Sequence, residues 1–159
     1  MALSLTALNK CCNLATITNA PGGKEMPDIT LEDGMKALAA SFLKAKEMGV
    51  TVAVSVVDAR GDLVASARMD DSLWWWTETS RAKAVATVTF GGIPSGELKD
   101  RANGPVAQAL LHMHQGRMAP QQGAVPIKKN KKLVGAIGAA GASGEEDEGI
   151  SAAGAEAIA

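Results

Sequence analysis

Two predicted β-hairpins, separated by helix-like sequence, constrain the fold of this chain more than any other feature. The first covers Val52–Ala67, where two runs of strand-forming residues flank the polar turn Asp58–Asp62. The second joins Ala124–Lys128 to Leu133–Ala140 across a lysine-rich turn. β-Branched residues suit a half-buried pleated surface, and the glycine of the first turn supplies the positive φ that a tight reversal needs. The order helix, hairpin, helices, hairpin, helix predicts one small sheet with helices packed on it.

Capping signals predict the first helix. Thr30–Asp33 has the spacing of a capping box, with Asp33 in place of the usual glutamate, and Gly49 ends the helix. Apolar residues at helical spacing predict the buried face, and these are Leu31, Met35, Leu38, Ala39 and Phe42.

Later helices follow from the same kind of signal. Asp71-Ser72 offers an N-cap for a helix from about Leu73 to Val88, and a further short helix is predicted over Val106–His112. Ser143–Glu146 has capping-box spacing at the start of the last helix. We expect Asp147 and its acidic neighbours to stabilise the positive end of that helix rather than to bind a metal.

The chain divides at a proline- and glycine-rich linker. We expect residues 1–27 to be an N-terminal extension, with a short amphipathic helix over 3–18, and residues 28–159 to form one domain. Cys11 and Cys12 are adjacent, so they cannot join distant segments, and two reduced thiols are expected. The chain shows no secretion signal and no apolar stretch of about 20 residues, which predicts a cytoplasmic protein.

Charge excludes two classes of partner. The net charge is −1, which gives no electrostatic reason to expect a nucleic acid or an anionic membrane as partner. The basic run Lys128–Lys132 falls on the second hairpin turn, where lysines are typical of an exposed tip.

Five segments in a characteristic order resemble a known family. They are TLEDGMKAL, GVTVAVSVVDARGDLVASARMD, TSRAKAVATVTFG, QGAVPI and LVGAIGAAGASGEEDEGISAAG. Over residues 28–157 the chain resembles the GlcG/HbpS-like family, also described as haem-degrading or PduO C-terminal-like. The resemblance implies a profilin- or PAS-like α/β (α+β) fold, with a central antiparallel sheet of about five strands flanked by helices, in a homo-oligomer. Some members bind haem, and many have no assigned activity.

Three consecutive tryptophans depart from the family pattern, which has small residues at this place. Successive side chains on a helix point about 100° apart, so Trp74, Trp75 and Trp76 cannot share one buried face. Because water is a poor environment for a large aromatic ring, we expect a subunit contact or a pocket for a flat apolar ligand.

Arg68, Glu78 and Arg81 form a second candidate group. Glu78 and Arg81 are three residues apart and are therefore neighbours on a helix surface. Arg81 can bind a carboxylate through its planar fork, or it can form a local ion pair with Glu78. Asp58 is predicted to form the first hairpin turn rather than to act as a general base.

His112 and His114 are the two histidines of the chain. In an extended segment both would lie on one face, whereas in a helix they would point roughly 200° apart. Either imidazole can act as a general base or ligate haem iron.

These residues support three hypotheses. The first is a homo-oligomeric protein that binds haem or another flat apolar molecule. The second is a catabolic enzyme for a small carboxylated or aromatic compound, in which a histidine transfers protons and Arg81 holds the acid group. The third is a structural assembly in which the tryptophans serve only as an interface. The spacing GxxGxxG at Gly135–Gly141 does not match a dinucleotide-binding loop, and small residues in a strand there predict close packing of a helix or of a ligand.

Overall fold

The computed structural model describes residues 29–159. The helix expected over 3–18, the extension as a whole, and Cys11 and Cys12 lie outside the described residues. In chain order the described elements are α1 (Leu31–Met48), β1 (Ala53–Asp58), β2 (Leu63–Arg68), α2 (Trp76–Thr89), a 3₁₀ helix (Ser95–Leu98), α3 (Pro105–Met113), β3 (Ala124–Lys129), β4 (Lys132–Ala140) and α4 (Gly144–Glu156).

Both predicted hairpins form, and together they make one antiparallel sheet. The strand order is β2-β1-β4-β3, so the first strand of one hairpin pairs with the last strand of the other. In that central pair Ala53 lies opposite Ala140 and Asp58 lies opposite Gly135. The expected class, an antiparallel sheet flanked by helices, is confirmed. The sheet has four strands within residues 29–159 rather than about five, because the segment between the hairpins forms helices and loops.

Helices cover both faces of the sheet. α2 packs on one face, and α1 and α4 pack together on the other. Every residue of β1 is buried, because this strand lies between the two helical layers. Its side chains alternate between two apolar clusters: Val54 and Val56 join the cluster with α1 and α4, and Val57 joins the cluster with α2.

The capping box of α1 forms as predicted, but the predicted apolar face is only partly buried. Thr30 Oγ1 accepts the Asp33 N–H at 3.1 Å, and Asp33 Oδ2 accepts the Thr30 N–H at 3.0 Å. Leu31, Met35 and Ala39 are exposed, whereas Leu38 is buried. Small residues form the buried face because they let α1 lie close to α4 and β2, and they are Gly34, Ala37, Ser41 and Ala45.

The start of α2 differs from the prediction. The helix begins at Trp76, three residues after Leu73, and it is preceded by a turn from Met69 to Ser72 in which Asp71 has a left-handed φ of 64°. The Ser72 hydroxyl donates to the Met69 carbonyl and therefore does not cap α2. α4 begins as predicted, with Ser143 Oγ accepting the Glu146 N–H at 3.3 Å.

The small residues of β4 allow α2 to lie directly against the strand. A Cβ atom on Gly138 would lie 2.3 Å from the Ser80 carbonyl oxygen of α2, far inside van der Waals contact. This close approach confirms the packing role predicted for the glycines of this strand. Within residues 29–159, no helix has both the length and the apolar character needed to cross a membrane.

Candidate functional site

A polar cleft lies beside α2, between the turn of the first hairpin and the loop that follows α3. Its volume is about 360 Å³, within the range of about 300–1,000 Å³ that is common for small-molecule sites. Its charged and titratable lining residues come from those three segments and are Arg60, Asp62, Glu78, Arg81, His114 and Arg117. Arg60 is paired with Asp58 and Asp62, whereas no described ion pair involves Arg81 or Arg117.

The turn of the first hairpin holds Arg60 at the cleft. The Asp58 carboxylate accepts the backbone N–H groups of Arg60 at 2.8 Å and Asp62 at 3.0 Å, and it accepts Arg60 Nη2 at 2.8 Å. Burial disfavours the charged form of Asp58, but the hydrogen bonds from Arg60 and Asp62 outweigh it and keep the pKa of Asp58 below its ordinary value. The carboxylate therefore organises the turn, as predicted.

Arg81 lines this cleft without a described ion pair to Glu78. Both residues line it from neighbouring positions on α2. The half-buried guanidinium of Arg81 is therefore available to a carboxylate in the cleft.

A second cleft, here called the indole cleft, lies at the start of α2. Its volume is also about 360 Å³, and Trp75, Trp76, Lys83 and Asp147 are among its lining residues. The rings of Trp75 and Trp76 meet edge to face, with centroids 6.1 Å apart and planes at 77°, so they form a corner. Gly141 makes room for it, because a Cβ atom there would lie 2.8 Å from Cε3 of Trp76.

A buried ion pair forms the floor of the indole cleft. Lys83 Nζ lies 2.8 Å from Asp147 Oδ2 and donates to the Ala139 carbonyl at 3.0 Å, and the two residues are only 5% and 2% exposed. Asp147 Oδ1 accepts the Ala142 N–H at 3.1 Å. Burial raises the pKa of Asp147, although Lys83 and the backbone donors act in the opposite direction.

The sequence does not predict this pair. Asp147 lies in the acidic first turn of α4, as predicted, and its carboxylate also binds Lys83. One signal was available: Lys83 is a single charged residue within an otherwise uncharged run, Ala82–Val88, that predicts a buried helix face. Arg60 and Arg117 were also missed, because no local pattern relates them to α2.

The two clefts belong to one groove. A third hollow between them is lined by Glu78 and Gly116, which also line the polar cleft, and by Trp75 and Gln121, which also line the indole cleft. We call these three adjoining hollows along α2 the α2 groove.

The α2 groove brings together five of the predicted site residues, namely Trp75, Trp76, Glu78, Arg81 and His114. The other three predicted residues lie outside it. Trp74 is 75% exposed. Arg68 donates to the Ser72 carbonyl at 2.9 Å and lines a separate hollow next to Phe42. The site roles of these residues stay predictions.

His112 is the third residue outside the groove. It is exposed on α3, while His114 follows the end of that helix and is half-buried. His112 is therefore helical and His114 is the C-cap of that helix, and of the two it is His114 that lines the polar cleft. Within residues 29–159, no three His, Cys, Asp or Glu side chains are grouped to hold a metal ion.

Comparison with known proteins identifies the family. Residues 29–156 match the family described as "Haem degrading protein HbpS-like", so the chain belongs to this family. A double mutant of HbpS from Streptomyces reticuli is similar in structure: it is 30% identical, the match covers 91% of this chain and 98% of that one, and the TM-score is 0.76. The structure named "PduOC:Heme Complex" is 28% identical, with 82% and 95% covered and a TM-score of 0.73.

A similar sequence comes from Citrobacter freundii. An uncharacterized 15.0 kDa protein from the dhaT-dhaS intergenic region is 30% identical over 125 residues, which are 78% of this chain and 87% of that protein. These findings confirm the resemblance that the five sequence segments indicated.

Proposed function

We propose that this protein binds a flat, largely apolar small molecule that carries acidic groups, with haem as the first candidate, in the α2 groove. The observation that carries the proposal is that the polar cleft and the indole cleft both share lining residues with the hollow between them. A macrocycle with carboxylate substituents needs aromatic surface and cationic groups within one site, and the groove offers both. The family description and the haem complex of the similar protein PduOC support the same ligand class.

The residues of the groove fit haem chemically. Trp75 and Trp76 offer aromatic surface to a flat ring system. Arg81 and Arg117 can bind its carboxylates, because a guanidinium matches two carboxylate oxygens. His114 offers an imidazole nitrogen, a common ligand of haem iron. Haem, when bound, would supply a redox-active iron, and the chain would supply the position and the charge around it.

The test is a titration of the protein with haemin, followed by the absorbance of the Soret band. We expect a saturable shift in the wild type and at least a tenfold weaker affinity in His114→Ala and in Arg81→Gln. His112→Ala is the matched variant, since it removes the same side chain from the exposed face of α3, and we expect little change. A wild type without a saturable shift would contradict haem as the ligand.

The second candidate function is catalysis on a small carboxylated or aromatic compound. It is favoured by one observation: Arg81 and His114 line the same cleft. Arg81 would hold the acid group, and His114 would accept or donate a proton. Incubation with a panel of aromatic and short-chain carboxylic acids, analysed by mass spectrometry, tests it. Turnover lost in both His114→Ala and Arg81→Gln supports catalysis, and turnover retained in both variants contradicts it.

We further propose that the protein self-associates. Leu73 and Trp74 precede α2 and expose apolar side chains to solvent. Contiguous exposed apolar residues are typical of interaction surfaces, because their burial against a partner removes that area from water.

A further inference from the structure

The indole cleft has a polar floor with one unused hydrogen-bond donor. The ammonium group of Lys83 carries three N–H donors. Two of them are engaged by Asp147 Oδ2 at 2.8 Å and by the Ala139 carbonyl at 3.0 Å. Among residues 29–159 no further acceptor is bonded to Nζ, although Lys83 is almost completely buried. Because Lys83 lines the cleft, an acceptor atom of a bound molecule can accept a hydrogen bond from its third N–H.

The charge of the floor decides which kind of acceptor fits. Lys83 and Asp147 form a pair without net charge, so an anion would gain attraction from one group and suffer repulsion from the other. It would also lose its hydration without recovering that free energy. The faces of the indole rings carry partial negative charge and disfavour an anion as well. A neutral oxygen acceptor meets none of these penalties.

The indole walls of the cleft determine which kind of ring system fits beside the acceptor atom. Trp75 and Trp76 form a corner with planes at 77°, so a planar ring can stack on one indole while its edge meets the other. A pure hydrocarbon would fill this corner but would leave the third N–H of Lys83 without a partner, and a buried unpaired donor is costly.

We infer that the indole cleft is a binding site for a neutral aromatic carbonyl compound, whose ring packs against Trp75 and Trp76 and whose carbonyl oxygen accepts a hydrogen bond from Lys83. This inference goes beyond the proposed function, because it assigns a second, neutral ligand class to the indole end of the groove and names Lys83 as the hydrogen-bond donor. It does not depend on haem: the haemin titration can fail while this site binds, and the reverse also holds.

The chain has three tryptophans, Trp74, Trp75 and Trp76, and their indole signals can show whether a ligand binds in the indole cleft. Each indole N–H gives its own signal in a ¹H–¹⁵N spectrum, so a ligand in the cleft is expected to shift the signals of Trp75 and Trp76 more than that of Trp74. The probes are acetophenone, which is a neutral aromatic carbonyl compound, and benzoate, which has the same ring and an anionic group.

We expect a saturable shift with acetophenone and at least a tenfold weaker affinity for benzoate. Equal or tighter binding of benzoate would overturn the inference, as would the lack of a saturable shift with acetophenone. This comparison uses the wild type alone, so it does not depend on any variant being folded.

A double variant then tests the role of Lys83. Lys83→Met with Asp147→Leu removes the donor and also removes the carboxylate that would otherwise stay buried without a partner. We expect its affinity for acetophenone to fall about tenfold or more, because a hydrogen bond from a charged donor is lost. Lys129→Met is the matched control, since it breaks another ion pair of 2.8 Å, with Asp33, that lies outside the cleft. Undiminished acetophenone binding by the double variant would overturn the inference.

Discussion

Lys83 makes polar contacts to two other elements of the interior. Its side chain joins α2 to the Ala139 carbonyl of β4 and to the Asp147 carboxylate of α4. It therefore connects the helical layers on opposite faces of the sheet. Burying two charged groups costs desolvation free energy. The attraction between Lys83 and Asp147 offsets that cost only while both groups are present. The pair is consequently sensitive to the loss of one partner.

We predict that Lys83→Met lowers the free energy of unfolding by about 3–5 kcal/mol at pH 7, because it leaves Asp147 as a buried unpaired charge. Burial already raises the pKa of Asp147, and loss of the lysine raises it further. The folded variant then binds a proton more tightly than the unfolded chain, so its stability increases as the pH falls through the raised pKa. Urea denaturation between pH 7 and pH 5 measures this.

The same double variant used above, Lys83→Met with Asp147→Leu, serves as the control. We expect it to recover most of the lost stability and to lose the pH dependence that Asp147 causes, because neither charge of this pair remains. A single variant as stable as the wild type would show that the ion pair contributes nothing to the fold.

Asp33 has the opposite dependence on pH. Its carboxylate binds Lys129 at 2.8 Å and caps α1, and these contacts lower the pKa of Asp33 to about 2 from an ordinary 3.8. A lowered pKa contributes stability that is present above pH 4 and is lost as the pH falls towards 2. We predict that Asp33→Asn is less stable than the wild type by about 1 kcal/mol at pH 6.

Thermal unfolding measures this prediction. We expect the difference in stability between Asp33→Asn and the wild type to become smaller as the pH falls from about 4 to 2. Glu32→Gln is the matched control, since it changes the neighbouring carboxylate of the first turn, which is mostly exposed and makes only a surface ion pair. A difference that does not depend on pH would show that the ionisation of Asp33 is not coupled to folding.

At the scale of elements, local signals identified hairpins and caps well. Alternating strand-formers around short turns predicted both hairpins, and the capping boxes at Thr30 and Ser143 predicted two helix starts within a residue. The failures have a common cause. Ser72 belongs to a turn with Met69 instead of capping α2, and the buried face of α1 depends on how close α4 approaches. Neither is visible in the spacing of apolar residues.

The contact between α2 and β4 gives the prediction at this scale. Gly138→Ala would place a Cβ atom 2.3 Å from the Ser80 carbonyl oxygen and 3.1 Å from the Ala84 nitrogen, so α2 must move away from the sheet. We predict a loss of about 1–3 kcal/mol in the free energy of unfolding, measured in urea. Because α2 forms one wall of the groove, binding of haemin should weaken too.

Gly149→Ala is the control for this substitution. Gly149 lies inside α4 with no atom within 4 Å of the added Cβ, and alanine favours a helix. We therefore expect a gain of about 0.5–1 kcal/mol from the same chemical change. If both variants lost stability, the effect of Gly138→Ala could not be attributed to the close approach of α2 to β4.

At the scale of the whole molecule, the groove joins segments that are far apart in the sequence. Arg60 follows β1, Arg81 lies on α2, and His114 follows α3. Sequence reasoning selected Arg81 and His114 from their chemistry, and the family resemblance supplied the fold that brings them together. Lys83 and Asp147, 64 residues apart, could not be paired in this way, because no local pattern specifies which buried charges meet across a sheet.

The exposed apolar residues before α2 provide the last prediction, which concerns assembly. Trp74 is 75% exposed and lines none of the described clefts, so its side chain can meet another copy without filling the groove. A tryptophan at the centre of an interface commonly contributes about 2 kcal/mol or more to association. We therefore predict that sedimentation velocity finds an oligomer for the wild type and at least a tenfold weaker association for Trp74→Ser. Met113→Ser removes a similarly exposed apolar side chain, 76% accessible on α3, and should leave the assembly intact. A monomeric wild type, or equal weakening by both variants, would show that Trp74 does not direct self-association.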